Sequence, residues 1–271
     1  MLLSQLELFV KEDLGEMDAS SSIVPEINVK ASILAGEECI VSGLDEADEI
    51  LKYFRLEGGR LVPEGSRVVA GSKVFSIRGR ARSILQAERL VLNFMGRMSG
   101  ISTLTSSCVE RAGKVRVAST RKTTPGFRFF EKRAVMVGGG DPHRFDLSSS
   151  VMIKDNHLKM MGLEEALRAA RASASFTKKI EVEVERAEDA LKAASLGADI
   201  IMFDNMSPGD IREGVELLIR EGMRGRVLLE ASGGITPENL SEYAAAGVDV
   251  VSLGALTRSA RWIDFSLEME I

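Results

Sequence analysis

The sequence has few of the features that would assign it to a common class of protein. It contains only two cysteines, Cys39 and Cys108, and they lie far apart without the spacing of a zinc site. Two free thiols in a reducing cytoplasm are therefore expected. No apolar run approaches the ~18 residues of a transmembrane helix. The N-terminal segment turns acidic early and lacks the basic leader of a signal peptide. We therefore expect a cytoplasmic protein that does not bind membranes.

The charge balance excludes one further class of function. The formal net charge of −5 argues against a general nucleic-acid binder. Residues 116–144 depart from this balance, because seven Lys or Arg against two Asp or Glu give the segment a local charge of +5. This cationic segment indicates a site for anions.

The C-terminal half alternates short β-branched runs with helical patterns. The runs occupy residues 115–120, 151–155, 180–184, 199–205, 227–232 and 248–255. This spacing predicts parallel β/α units, and six or seven such units predict a barrel, closed or open on one side. A doubly wound sheet is the alternative, but no GxGxxG motif follows the first strand.

The N-terminal half has a different character. A helix over residues 2–13 is followed by strand-like and glycine-rich segments, and a helix over residues 82–98 closes this half. We expect an α/β fold in which residues 1–100 form an N-terminal α/β sandwich domain and residues 101–257 form the barrel. The C-terminal segment 258–271 is expected to pack with the first domain.

Polar residues recur where the predicted barrel strands end, which is where barrels of this kind hold their active sites. They are Arg121 and Lys122, Lys154, Glu183, Asp204, Ser232 with Gly233 and Gly234, and Gly254 with Ala255. A single strand that ends in polar residues is weak evidence, because loops are polar. Six predicted strands that all end in polar residues indicate a site.

Each group at these strand ends has a functional interpretation and a simpler alternative. The segment SGGITPENL predicts a phosphate cradle at a helix N-terminus capped by Thr236, and the alternative is a tight turn. Arg121 and Lys122 are either anion ligands or an exposed surface pair. His143 and Arg144 follow three glycines and indicate an anion-binding loop.

Two further patterns involve charges in predicted buried positions. Glu183 and Asp204 on consecutive strands suit Mg²⁺, which takes one or two carboxylates and completes its shell with phosphates and water. Inside a barrel both faces of a strand are covered, so a purely exposed Glu183 is not expected. Arg89 falls on the apolar face of its helix, where it either extends its charge to solvent or binds a ligand carboxylate.

Several motifs together resemble the quinolinate phosphoribosyltransferase family. They are TRKTTPG, EKRAVMVGGGDPHR, IKDNH, EVEVE, FDN, EASGGI and LGALTRS, in this order, and the resemblance covers nearly the whole chain. It implies an N-terminal α/β sandwich joined to an open β/α barrel of about seven strands. It also implies transfer of a phosphoribosyl group from phosphoribosyl pyrophosphate to quinolinate with decarboxylation. The products are nicotinate mononucleotide, pyrophosphate and CO₂, in de novo NAD synthesis.

The resemblance assigns roles to the predicted residues. Arg121, His143 and Arg144 bind the quinolinate carboxylates together with Arg89. Lys122 and Lys154 lie between the two substrates, and Glu183 and Asp204 handle the ribose hydroxyls and Mg²⁺, directly or through substrate and water. The phosphate cradle is Ser232, Gly233, Gly234, Gly254 and Ala255. The family also implies a homodimer in which Arg89 enters the partner's barrel, and higher assembly is left open.

Three alternatives compete with this interpretation. A related phosphoribosyltransferase could use nicotinate or serve molybdenum metabolism, although TRKTTPG and IKDNH favour quinolinate. A Schiff-base aldolase could use Lys154, and a non-catalytic protein could simply bind anions. Glu183 and Asp204 beside a phosphate site argue against the last of these.

Overall fold

The computed structural model describes residues 1–16 and 18–270. These residues form two units, Met1–Leu104 with the C-terminal segment from Ala260, and Thr105–Ser259. Ten α-helices lie in the described residues: α1 (Leu3–Leu14), α2 (Leu44–Tyr53), α3 (Ala81–Ala112), α4 (Arg128–Val137), α5 (Asp155–Met161), α6 (Leu163–Ser173), α7 (Ala187–Ser195), α8 (Pro208–Arg220), α9 (Leu240–Ala244) and α10 (Ala255–Arg258).

The described residues also form twelve strands and two short 3-10 helices, Ser21–Ile23 and Arg224–Arg226. The strands are β1 (Asn28–Ala35), β2 (Cys39–Ile40), β3 (Glu57–Arg60), β4 (Arg67–Val68), β5 (Lys73–Arg80), β6 (Arg116–Ala118), β7 (Val151–Ile153), β8 (Ile180–Val184), β9 (Ile200–Asp204), β10 (Leu228–Ser232), β11 (Val250–Ser252) and β12 (Phe265–Glu270).

The N-terminal unit is built on a four-stranded sheet in the order β12-β1-β5-β3. Its pairs are antiparallel, with Ile33 opposite both Leu267 of β12 and Phe75 of β5. Ile33 and Phe75 are completely buried, as is Ile50 of α2, so the sheet has an apolar face that a helix can cover. The C-terminal segment therefore contributes a strand to the N-terminal unit.

Helix α3 is longer than the sequence pattern predicts. The predicted end at residue 98 is wrong, because α3 continues to Ala112. Two glycines of α3 allow the C-terminal segment to pass closely over the helix. A Cβ on Gly100 would lie 1.9 Å from the Arg261 carbonyl oxygen, and one on Gly96 would lie 2.8 Å from that of Ile263. The Ile263 amide also donates to the Gly96 carbonyl at 3.1 Å.

The C-terminal unit contains the predicted parallel sheet. Six strands pair in the order β6-β11-β10-β9-β8-β7, and each of the six predicted runs contains one of them. The α/β class and the parallel sheet with its helices are confirmed, while the described residues form six strands rather than about seven. A single parallel bridge joins Ala118 to Asp141 where a further strand would lie. Pro142 has no N–H to extend that pairing.

Side chains of this sheet alternate between a helix-covered face and an inner face that carries the polar groups. All five residues of β8 are buried, which confirms that Glu183 does not lie on an exposed face. Glu183 is paired in register with Met202 of β9, and Ser232 of β10 with Asp204. The alternation places these polar groups on the same face of the sheet, and the register places them at the same end.

Cys39 and Cys108 are buried and free, as predicted. Burial raises the pKa of each thiol to about 11. None of the helices in the described part of the chain combines the length and hydropathy needed to cross a bilayer.

Candidate active site

A polar pocket of about 480 Å³ lies at the carboxyl ends of the parallel strands. It brings together ten of the predicted residues, all from the C-terminal unit: Arg121, Lys122, His143, Arg144, Lys154, Glu183, Asp204, Ser232, Gly233 and Gly234. Its other lining residues are Ser119, Thr120, Met152, Asp155, Met202, Asn205, Glu230 and Ser252. Only two of these, both methionines, are large apolar side chains, so the pocket suits a charged ligand.

The loop after β6 presents Arg121 and Lys122. Nε of Arg121 is buried and has no hydrogen-bond partner within the described residues. A buried guanidinium N–H without an acceptor is costly, so this group is poised for an anion. The backbone of Lys122 is fixed at both ends: its amide donates to Thr120 Oγ1 at 3.1 Å, and its carbonyl accepts from Thr257 Oγ1 at 2.8 Å.

The loop before β7 presents His143 and Arg144 through an unusual backbone conformation. His143 has a φ of +53°, in the left-handed region that few non-glycine residues adopt. Its ring Nδ1 accepts from the Arg144 amide at 2.7 Å, which requires a lone pair on Nδ1. Nε2 then carries the proton and donates to Glu230 Oε2 at 3.1 Å. Both ring nitrogens are therefore engaged within the chain.

Two buried carboxylates lie beneath His143. The His143 Nε2 atom lies 3.8 Å from Glu181 Oε1, and Glu181 is only 1% exposed. Burial, followed by the charge of Glu230, raises the pKa of Glu181 to about 7. Burial lowers the pKa of His143, but the hydrogen bond to Glu230 and the charges of Glu230 and Glu181 raise it above its ordinary value.

These three residues also have the composition of a metal site. The ligand atoms of His143, Glu181 and Glu230 lie within 4.8 Å of one another. A metal-bound histidine donates its second ring N–H to a neighbour. In His143 the second nitrogen accepts a hydrogen bond, so the geometry favours a hydrogen-bonded histidine–carboxylate cluster over a metal centre.

Lys154, Glu183 and Asp204 form the opposite side of the pocket. Nζ of Lys154, the residue directly after β7, donates to Glu183 Oε1. Glu183 is 8% exposed, so this ion pair is partly shielded from solvent. Asp204 Oδ2 accepts from the Nδ2 group of Asn205 at 2.9 Å. The predicted carboxylates therefore line one pocket, in which the Lys154 ammonium is paired with Glu183.

The predicted phosphate loop, the SGG segment, is present, but the residues directly after it form a turn and not the start of a helix. Gly233 has a φ of +88°, and a Cβ there would lie 2.7 Å from the Asn205 amide nitrogen, so only glycine fits. The expected capping by Thr236 is wrong: α9 begins at Leu240 after a turn, in which the Thr236 amide donates to Asn239 Oδ1 at 2.8 Å. The SGG segment is thus a glycine-lined turn.

Gly254 approaches the same pocket from the next strand. A Cβ on Gly254 would lie 3.1 Å from Cδ of Lys122. Ala255 follows as the buried first residue of α10. The backbone of these two residues therefore lies close to a cationic side chain, although neither lines the pocket described above.

Arg89 lies on α3 in the N-terminal unit, and its predicted environment is wrong. The side chain is exposed rather than on the buried face of the helix. Leu85, one turn earlier, is also exposed, so the apolar stripe of α3 passes beside Arg89 instead of through it. Arg89 forms no ion pair within the residues that the structure describes.

Sequence reasoning missed the lower layer of the pocket. Glu181 lies two residues before Glu183 on β8 and points to the same side of the sheet, so the period of two could have identified it. Glu230 has the same relation to Ser232 on β10. Asn205 ends the FDN motif and is therefore visible in the sequence, but its left-handed φ of +55° is evident only in the structure.

Comparisons with known proteins decide the family. Residues 101–268 match the C-terminal domain of quinolinate phosphoribosyl transferase, and residues 18–99 match its N-terminal domain. The chain belongs to the quinolinate phosphoribosyltransferase family. The resemblance seen in the motifs is thereby confirmed over both halves of the chain.

Relatives in this family come from distant organisms. The chain is 46% identical over 267 residues to a probable nicotinate-nucleotide pyrophosphorylase [carboxylating] from Methanothermobacter thermautotrophicus, covering 96% of each chain. It is 37% identical to the human nicotinate-nucleotide pyrophosphorylase [carboxylating], covering 99% of this chain and 91% of that protein. The solved structure of the nicotinate-nucleotide pyrophosphorylase from Francisella tularensis superposes with a TM-score of 0.93 at 34% identity, covering 98% of this chain and 95% of that one.

Proposed function

We propose that the chain transfers a phosphoribosyl group from phosphoribosyl pyrophosphate to quinolinate, with loss of CO₂, in NAD biosynthesis. The observation that supports this most directly is the buried, unpartnered Nε of Arg121 in a pocket that also holds a carboxylate pair and a glycine-lined turn. That combination offers separate positions for a dicarboxylate, a ribose and a phosphate. Family membership supplies the matching reaction.

Quinolinate would bind on the cationic side of the pocket. Arg121 and Arg144 supply the guanidinium groups there, and guanidinium pairs well with carboxylates. His143 completes this set by holding the Arg144 backbone, because both its ring nitrogens are already bonded. The C2 and C3 carboxylates of the substrate would then face different cations.

Phosphoribosyl pyrophosphate would bind across the opposite side. The turn of Ser232, Gly233 and Gly234, with Gly254 and Ala255, leaves backbone N–H groups for the 5′-phosphate. Glu183 and Asp204 would accept hydrogen bonds from the ribose hydroxyls. Lys122 and Lys154 would lie between the two substrates, near the developing pyrophosphate charge.

The reaction needs positioning and charge stabilisation rather than a protein nucleophile. The pyridine nitrogen attacks C1 of the ribosyl group as pyrophosphate leaves, and cationic side chains stabilise the departing charge. The quaternary nitrogen then favours loss of the adjacent C2 carboxylate, because the resulting carbanion lies beside a positive charge. This is consistent with a pocket of fixed charges in which Lys154 is already paired with Glu183.

Mg²⁺ is the cofactor that we propose for this site. Glu183 and Asp204 line the same pocket and offer carboxylate oxygens, which are the ligands that Mg²⁺ prefers, so the residues fit the ion. When bound, Mg²⁺ would neutralise pyrophosphate charge. Glu183 and Asp204 would hold it directly or through water and substrate.

Changing Asp204 to Ala should separate the two substrates. We expect kcat/KM for phosphoribosyl pyrophosphate to fall at least about 100-fold and the Mg²⁺ requirement to rise, because a ribose and metal contact is lost. Quinolinate affinity, measured by calorimetry, should stay within about threefold. The same pattern is expected for Glu183→Ala, whereas Glu188→Ala, an exposed carboxylate on α7, should behave as wild type. Loss of quinolinate binding with normal phosphoribosyl pyrophosphate kinetics would reverse the assignment.

Formation of nicotinate mononucleotide from quinolinate and phosphoribosyl pyrophosphate tests the proposed function. Release of CO₂ in equal amount distinguishes it from a phosphoribosyltransferase that uses nicotinate. Borohydride trapping of a substrate on Lys154 would instead support a Schiff-base aldolase. Binding of both substrates without turnover would support a non-catalytic protein.

We also propose that the working unit is a cytoplasmic homodimer with shared sites, in which Arg89 serves the partner's barrel. The supporting observation is that Arg89 is exposed and forms no ion pair in the described part of the chain. Arg89→Ala should then cost about 2–5 kcal/mol of transition-state stabilisation if it leaves a substrate carboxylate unpaired.

Mixing two inactive variants should restore activity if sites are shared. In a heterodimer of Arg89→Ala and Lys154→Ala chains, one site has both defects and the other has none. Random exchange makes about half the dimers heterodimers, so roughly a quarter of wild-type activity should return. Mass spectrometry verifies the exchange. If exchange occurs and activity stays at the level of the separate variants, Arg89 serves its own barrel.

A further inference from the structure

Helix α4 carries two adjacent charged residues that the proposed mechanism does not use. Glu131 is completely buried and Lys132 is 2% exposed. Burying an ammonium group is costly unless its hydrogen bonds are made inside the protein. The positions of these bonds therefore indicate what Lys132 does.

Lys132 joins the two loops that present the cationic residues. Its Nζ donates to the Pro142 carbonyl and, at 3.3 Å, to Ser119 Oγ. Ser119 Oγ donates to the same carbonyl at 3.0 Å. Pro142 directly precedes the left-handed His143, and Ser119 lies two residues before Arg121. The ammonium thus lies at the junction between the Arg121 loop and the His143–Arg144 loop.

The neighbouring residues of α4 make the same kind of connection. Glu131 accepts from the Thr124 amide at 3.1 Å and from Thr124 Oγ1 at 3.0 Å. Arg128, one turn before Lys132, donates to Thr123 Oγ1 at 2.9 Å and to the Phe145 carbonyl at 3.3 Å. The start of α4 therefore fixes both loops from beneath.

We propose that Lys132 is a positioning residue for quinolinate: by holding the Pro142 carbonyl, it sets the position of Arg144 relative to Arg121. The inference rests on the proposed function and names the residue that spaces its carboxylate-binding groups. Lys132 contacts neither Arg121 nor Arg144 by a hydrogen bond in the described residues, so it acts through the backbone. A displacement of either guanidinium by about 1 Å is enough to cost roughly 100-fold in catalysis.

The electrostatic surroundings of Lys132 agree with this role. Burial, followed by the charge of Arg128, lowers the pKa of Lys132 to about 8, while Asp141 acts in the opposite direction. Arg121 and Arg144 add to the lowering. Binding of a dianion would relieve the repulsion among Lys132, Arg121 and Arg144. These three cations therefore favour quinolinate over an uncharged ring.

The test compares Lys132→Met with Lys132→Gln. Methionine keeps the buried stem but removes the donor, and glutamine keeps an N–H donor without the charge. For Lys132→Met we expect the KM for quinolinate to rise about 100-fold, with the KM for phosphoribosyl pyrophosphate changed less than threefold. Lys132→Gln should recover most of the loss. Lys192→Met, an exposed lysine on α7, is the matched control.

The outcomes separate the possible failures. Equal losses for both substrates without rescue by glutamine would show a merely structural role and overturn the proposal, as would an unchanged KM for quinolinate. If Lys132→Met does not fold, Ser119→Ala removes the second donor to the Pro142 carbonyl and should raise the KM for quinolinate about 5-fold. If the wild-type protein forms no nicotinate mononucleotide, the proposed function fails first, and calorimetry of quinolinate binding to the same variants then decides the positioning role.

Discussion

Nicotinate is expected to be at least about 10⁴-fold poorer than quinolinate in kcat/KM. Nicotinate has a single carboxylate, so it would leave one of the cations prepared for quinolinate without a partner. Nε of Arg121 is buried and has no acceptor within the described residues, so a ligand without the matching carboxylate would leave it unpaired. A site built around a buried polar group discriminates strongly against a ligand that lacks the matching group.

One assay measures both substrates. Quinolinate and nicotinate give the same nicotinate mononucleotide, so chromatography of this product at fixed phosphoribosyl pyrophosphate yields both values of kcat/KM. Removing the cation should reduce the discrimination: Arg121→Met is expected to lower the quinolinate value far more than the nicotinate value. Arg226→Met, which changes an exposed arginine just before β10, is the control. Comparable wild-type values for the two substrates would contradict the proposed carboxylate recognition.

The parallel sheet and most of its site could be predicted because strand position and chemistry coincide in the sequence. Each β-branched run ends in a polar group, and parallel strands bring those ends together. Lys154 and Glu183 illustrate this, since the pairing of Ile153 with Val182 places the following residues side by side. Their ion pair follows from register rather than from any detail of the loops.

Features that depend on contacts between distant segments were not predictable in the same way. Gly96 and Gly100 give no local indication that the C-terminal segment packs closely against them, as it does in the structure. The orientation of the His143 ring depends on the carboxylate of Glu230, 87 residues later. The predicted position of Arg89 on the apolar face of α3 is wrong, because that face does not include Leu85, one turn earlier, which is exposed.

The buried charges are the clearest case of this limit. Glu181, Glu131 and Lys132 occupy positions that a hydrophobic pattern would fill with apolar side chains, and all three are nearly inaccessible to solvent. Such groups are tolerated where other bonds satisfy them or where a function requires them. Here they lie beneath the loops that carry the predicted ligands. The buried charged residues that break the hydrophobic pattern therefore lie under the proposed site.

Lys154→Ala is expected to reduce kcat at least about 1,000-fold. The lysine lies at the end of β7 beside the proposed pyrophosphate, and removing a single group that stabilises developing negative charge typically costs 10²–10³ in rate, roughly. A second effect adds to this loss, because Glu183 is 8% exposed and would be left without its ion-pair partner. The cost is smaller than the about 3–5 kcal/mol of a fully buried pair, because the Lys154 side chain is 43% exposed.

A double variant separates these two effects. Lys154→Ala combined with Glu183→Gln removes the unpaired charge, so if the lysine only neutralises Glu183, the double variant should be as active as Glu183→Gln alone. If Lys154 stabilises the departing pyrophosphate, the double variant stays at least about 100-fold below Glu183→Gln alone. Lys179→Ala is the control, since this exposed lysine directly precedes β8 at the other end of the sheet. Single-turnover kinetics measure the chemical step, and thermal melting verifies that each variant is folded. Near-wild-type turnover of Lys154→Ala would remove this lysine from the catalytic set, because its strand-end position would then serve only the ion pair with Glu183.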